Sequence, residues 1–132
     1  MRIEMEQVEG RRFAIRARGN EVIVDDTLEA GGPGDGFRPS ELLLGALAAC
    51  MAGTMVTFAR NMEIPIHGIS IHAEDEAADH PDRIARISID MTVDADATDR
   101  QKASLERVAS ACKIHNTLER SPEIALDFTV RT

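Results

Sequence analysis

Residues 41–50 read ELLLGALAAC, and they open a stretch, 42–58 (LLLGALAACMAGTMVTF), with no charged side chain in seventeen residues. Seventeen is the lower limit for a membrane span. The run carries two Gly and two Thr, no aromatic anchors, and no basic flank beyond Arg38 and Arg60, so it is better explained as a buried helix of a soluble protein. Pro39-Ser40-Glu41 precede it: Ser40 is the expected N-cap, and Glu41 complements the positive end of the helix. The spacing predicts a central helix over 39–61, ending before Pro65. It is apolar on every side, and a helix of that kind has to be central. Gly45, Ala46, Ala48, Ala49, Ala52 and Gly53 keep it thin enough for another backbone to approach closely.

Outward from this helix the chain alternates in short periods. Arg2 to Glu6, Phe13 to Arg16 and the β-branched Glu21-Val22-Ile23-Val24 predict strands within 1–28, with Gly10 and Gly19-Asn20 as turns. A Gly-rich loop, 30–38, joins them to the helix and is long enough to suggest a role beyond connection. Ile66 to Ala73 and Arg83 to Val93 alternate as an antiparallel hairpin over 66–94, with one wet face. Thr98 and Gln101 form a capping-box pattern that opens a second helix, 98–113. In that helix Leu105, Val108, Ala109 and Cys112 fall at i, i+3, i+4 and i+7. Asn116 to Arg120 add a possible further helical turn, and a strand over 124–131 ends the chain. The order predicts one α+β domain over 1–132.

At 132 residues the chain can bury roughly two-thirds of its unfolded surface without disulfide staples. With 23 acidic against 15 basic residues the net charge is −8, which disfavours nucleic acid and anionic membranes as partners. No Trp and no Tyr are present, so stacking on bases is disfavoured too. The opening MRIEMEQVEG lacks the apolar segment of a signal peptide, and two cysteines make no secreted disulfide framework; the expectation is a cytoplasmic protein. One sheet and one other helix cannot cover the apolar run in a monomer. Covering about 500 Å2 per subunit is worth ~12 kcal/mol before association costs, which predicts a homodimer with these helices packed at the two-fold axis.

Cys50 and Cys112 are the only cysteines. Each alone reads as a small buried hydrophobe. Together, two thiols on walls of one core can do peroxide chemistry: a thiolate takes oxygen to become a sulfenic acid, and the second thiol converts it to a disulfide. That needs a cationic neighbour to ionise the attacking thiol, because burial alone raises its pKa, and Cα atoms roughly 4.4–6.8 Å apart. Other sites are disfavoured. Cys112 and His115 make half a zinc pattern with no second half, so no metal is expected. His67 and His72 point to opposite faces of a strand. The glycines at 31–36 precede no GK[ST], so no phosphate loop and no cofactor are expected. Met51 and Met55 serve as core filler or line an apolar pocket.

GGPGDGFRPSELLLGALAAC, with a lone second cysteine in ASACKIHNTLERSPEI, resembles the OsmC/Ohr family, the osmotically induced and organic hydroperoxide resistance proteins, in its OsmC-like branch. The resemblance extends to VEG near the start and to Pro65-Ile66-His67-Gly68-Ile69. It implies a swapped homodimer in which antiparallel sheets from both chains wrap two central helices. It implies a thiol-dependent peroxidase of organic or fatty-acid hydroperoxides, re-reduced by a dithiol such as a protein-bound lipoyl group. By position, Cys50 would be the peroxidatic thiol and Cys112 the resolving one. Arg11, with Arg12 and Arg16 behind it, would hold the thiolate, since an Arg keeps its charge at any working pH. The acid that the organic-hydroperoxide branch carries ten residues before its cysteine is here Ser40. Glu41 stands nine before, where it either caps the helix or reaches the partner's cysteine. Lys113 replaces the Pro common after the second cysteine. The alternatives are a non-catalytic protein that binds an apolar or sulfur-containing ligand in the dimer cleft, or a redox sensor.

Overall fold

A computed structural model describes all 132 residues. The elements run β1 (Glu4–Glu9), β2 (Arg12–Ala17), β3 (Asn20–Val24), α1 (Pro39–Asn61), β4 (Ile66–Ala78), β5 (Arg83–Ala95), α2 (Asp99–Ala109) and α3 (Lys113–Glu119). The α+β class expected from the sequence is what is found. Two compact units divide it: Met1–Ala46 with Ala73–Ser88, and Leu47–His72 with Ile89–Thr132.

In the first unit β1, β2 and β3 form an antiparallel meander in that order. The β2–β3 turn is Arg18-Gly19, one residue earlier than Gly19-Asn20. Both residues have positive φ, 51° and 80°, the pattern of a two-residue hairpin whose twist matches the strands. The loop after β3 folds back on the sheet: Asp25 N donates to Phe37 O and Phe37 N to Ile23 O, each at 3.0 Å. Only glycine fits at position 32, because a Cβ there would lie 2.3 Å from the Asp26 carbonyl oxygen. Asp25 is buried and pairs with Arg12 at 3.0 Å, and Arg12 also binds Asp35.

The start of α1 corrects the expectation for Ser40. Pro39 is the first helical residue, where its fixed φ and missing N–H are least costly, and Ser40 is already inside the helix. Glu41 Oε1 accepts from the Arg38 N–H at 2.7 Å, closing the first turn from the third helical position.

In the second unit the core joins Met55 and Ala59 of α1, Ile64, and Leu105 of α2, with Phe58, Ile69, Met91 and Val108 packed around them. Leu47, Met51, Met55 and Ala59 recur every four residues and are the buried stripe of α1. The helix ends within this unit in a Schellman turn: Ile64 N donates to Ala59 O at 2.8 Å and Glu63 N to Arg60 O at 3.2 Å. Glu63, at φ 54°, takes the left-handed position that glycine usually holds. Thr98 and Gln101 form the capping box read from the sequence, with bonds of 3.2 and 2.9 Å.

Two expectations are corrected here. The helix predicted over 98–113 stops at Ala109, and the further turn expected at Asn116 to Arg120 starts earlier, as α3, with Cys112 as its N-cap. The strand predicted over 124–131 is not formed; Ile124, Leu126, Phe128 and Val130 keep their alternation but are exposed, with no strand beside them. Within one chain α1 is not covered on every side: 22 % of its most apolar window is buried, and by length and composition it could cross a membrane.

Candidate functional site

Cys50 sits at the middle of α1, half-buried, and Cys112 begins α3, 1 % exposed. Both belong to the second unit. The break at Ser110 to Cys112 turns the chain so that the start of α3 meets α1. The first N–H groups of a helix have no partner within it, and here they meet the sulfurs. Ile114 N donates to Cys50 Sγ at 3.4 Å, and His115 N donates to Cys112 Sγ at 3.3 Å. The Lys113 N–H also acts on Cys50. The two thiols act on each other's ionisation, and neither is in a disulfide.

These contacts separate the two thiols. The Ile114 N–H, aided by the Cys112 side chain and the Lys113 N–H, holds the Cys50 thiol below the ordinary range against the opposing effect of burial. Thr54 has a single hydroxyl hydrogen, and it goes to the Cys50 carbonyl at 2.8 Å, so the thiolate's donors are the backbone N–H groups and Cys112. Burial pushes the Cys112 thiol up, and its contact with Cys50 adds to the rise while the His115 N–H opposes it. The arrangement can therefore hold one thiolate, at Cys50, hydrogen-bonded by a protonated Cys112.

The other two residues singled out in the sequence are in the first unit, each with its own partner. Arg11 pairs with Asp26 at 2.5 Å and has a largely exposed side chain. Glu41 closes the first turn of α1. Sequence reasoning missed the donors from Lys113, Ile114 and His115. A main-chain N–H carries no side-chain label, and the spacing of Leu105, Val108, Ala109 and Cys112 disguised the helix break that frees them. An open apolar cavity of about 370 Å3 also lies in the second unit, lined by Met55, Met91, Val93 and Leu105 with Lys102 and Glu106. No group of His, Cys, Asp and Glu is placed to hold a metal ion.

A family model for OsmC-like proteins matches residues 32–127. Among curated proteins none matches by sequence. Solved structures do. A Psychrobacter arcticus protein described as an osmotic stress induced and detoxification response protein is similar at a TM-score of 0.79 and 26% identity, over 87% of this chain and 85% of its own. An OsmC like protein from Mycoplasma pneumoniae is similar at 0.77 and 20% identity, over 91% and 87%. The organic hydroperoxide resistance protein OhrB of Bacillus subtilis is similar at 0.61 and 20% identity, over 92% and 93%.

Proposed function

Because this chain belongs to the OsmC-like protein family, we propose that it is a thiol-dependent peroxidase that reduces organic or fatty-acid hydroperoxides through Cys50 and Cys112. The observation that carries this reading is the opposite perturbation of two thiols in contact, with Cys50 favoured as thiolate and Cys112 as thiol. The Cys50 thiolate attacks the outer peroxide oxygen. An S–O bond forms, the O–O bond breaks, and the alkoxide leaves with a proton as an alcohol. Cys112 then attacks the sulfenic sulfur, forming the disulfide and releasing water. An external dithiol, a lipoyl-bearing protein among the candidates, returns both cysteines to thiols by exchange.

In this reading Arg11 moves from Asp26 to the thiolate, and Glu41 orients it, once two chains associate. The protein works in the cytoplasm as a swapped homodimer. The uncovered apolar faces of α1, with Leu43 and Val56 exposed, support association. So does the unpaired alternation of Ile124, Leu126, Phe128 and Val130, which fits a strand added to a partner's sheet.

Mixing the reduced protein with cumene hydroperoxide tests the activity. Peroxide is consumed and two free thiols per chain disappear, whereas Cys50→Ser does neither. Full turnover by Cys50→Ser would refute the reading. The second reading, a non-catalytic binder of an apolar ligand, is favoured by the cavity beside Met55 and Met91. It requires both thiols to survive peroxide.

A further inference from the structure

The helix α3 is seven residues long, and none of them is buried; Ile114 and His115 are half-buried and the rest exposed. A helix of that length is marginal in water by itself, so its first turn depends on what caps it. Here both caps are sulfurs. Cys112 is the N-cap, and its Sγ accepts from the His115 N–H at 3.3 Å, while the Ile114 N–H donates to Cys50 Sγ at 3.4 Å. No acidic side chain stands in that turn to take their place. The remaining hydrogen bonds are local to the helix and its caps. Asn116 N donates to Cys112 O and Arg120 N to Asn116 O, each at 3.0 Å. Thr117 Oγ1 donates to Lys113 O, and His115 Nε2 lies 2.8 Å from Glu119 Oε1. The two thiols that would be oxidised are therefore also the two acceptors that begin α3.

We propose that closing the Cys50–Cys112 disulfide uncaps α3, so that its first turn loosens in the oxidised protein and tightens again on reduction. The inference rests on the peroxidase reading. In that cycle the two thiols give up two electrons and two protons to the hydroperoxide, which leaves as an alcohol and water. Both sulfurs change as acceptors in the same event. Cys50 loses the negative charge that strengthens a hydrogen bond from the Ile114 N–H. Cys112 Sγ, now in no disulfide, has to close to bonding distance of Cys50 Sγ, away from its own helix. An uncharged sulfur is a weak acceptor. The new bond ties Cys112 to α1 but offers little to the Ile114 and His115 N–H groups, which turn to water instead.

Hydrogen exchange followed at single amides by NMR tests this on the full chain, reduced or oxidised with diamide, which takes both thiol hydrogens and needs no peroxide. The Ile114 and His115 amides are expected to exchange about tenfold faster or more in the oxidised chain, the effect of losing a hydrogen bond to a charged group. Amides of α2 keep their rates, and dithiothreitol restores protection in α3. In Cys50→Ser, where no disulfide forms within the chain, diamide leaves α3 exchange as it was; acceleration there would overturn the proposal. Unchanged or slower exchange in oxidised wild type overturns it too, because the covalent tie would then hold α3 at least as well as the caps did. Acceleration spread equally over α2 and α3 does the same. The two readings fail separately. If hydroperoxide leaves both thiols intact while diamide closes the disulfide and frees the turn, the peroxidase reading falls and the uncapping stands. If hydroperoxide forms the disulfide and α3 stays protected, the reverse holds. A chain that neither oxidant closes overturns both.

Discussion

The backbone N–H of Ile114 donates to the Sγ of Cys50 at 3.4 Å, across 64 residues of sequence. That bond is possible because α2 stops at Ala109 and the chain restarts as α3 at Lys113. A single helix through Cys112 would have used the same N–H group internally.

From this contact follows a pH dependence. The Cys50 pKa is lowered from its ordinary value, so alkylation by iodoacetamide rises with pH through a midpoint below that of an ordinary free thiol and is lost as pH falls below that midpoint. Lys113→Pro tests the cause. Proline suits the first helical position but has no N–H, so one donor to Cys50 disappears while α3 persists. The loss of roughly 1 kcal/mol of thiolate stabilisation moves the midpoint up and slows alkylation at neutral pH about fivefold. An unchanged midpoint would exclude the Lys113 N–H as a contributor.

Cys112 is both a thiol and a helix cap, since its Sγ accepts from His115 N. Cys112→Ser keeps an acceptor there, whereas Cys112→Ala removes it and leaves the N–H unpaired. The alanine variant is expected to be less stable than the serine variant by about 1 kcal/mol in urea unfolding. Equal midpoints would mean that the cap contributes nothing.

Glu63 holds the left-handed position of the turn after α1 at φ 54°. Glu63→Gly removes the steric cost of a side chain there and is expected to stabilise the chain by about 0.5–1 kcal/mol, read from the urea midpoint. A destabilisation would show that the Glu63 side chain contributes more than its backbone strain costs.

Sedimentation in solution checks the proposed dimer. The full chain should sediment at twice its monomer mass. Truncation after Pro122 should weaken association, because it removes Ile124, Leu126, Phe128 and Val130, which a single chain leaves exposed. Monomers of the full chain at micromolar concentration would contradict the swapped assembly.

How far the sequence could be read differs from element to element. The strands of β1 to β5 and the length of α1 were legible, because alternation and uninterrupted apolarity report directly on which faces need cover. The cap of α1 was misplaced because Ser40 is a good cap by type, yet Pro39 beside it is better suited to the first helical position. The break before Cys112 was hidden, since Ser110 and Ala111 carry no Gly or Pro signal. The 124–131 alternation was visible, but a strand needs a neighbour, and none lies beside it in this chain. Both cysteines were recognised as a pair. The ion pairs that occupy Arg11 and Arg12 were not, since Asp25, Asp26 and Asp35 looked like ordinary loop residues until the loop folded back on β2.

The most direct test of the Cys50–Cys112 chemistry is intact mass after one equivalent of cumene hydroperoxide, with Cys112→Ser run in parallel. The wild-type chain should lose two hydrogens and yield a Cys50–Cys112 linked peptide, while Cys112→Ser should gain one oxygen on Cys50 and stop there. Wild-type protein that keeps both thiols and its original mass would contradict the account.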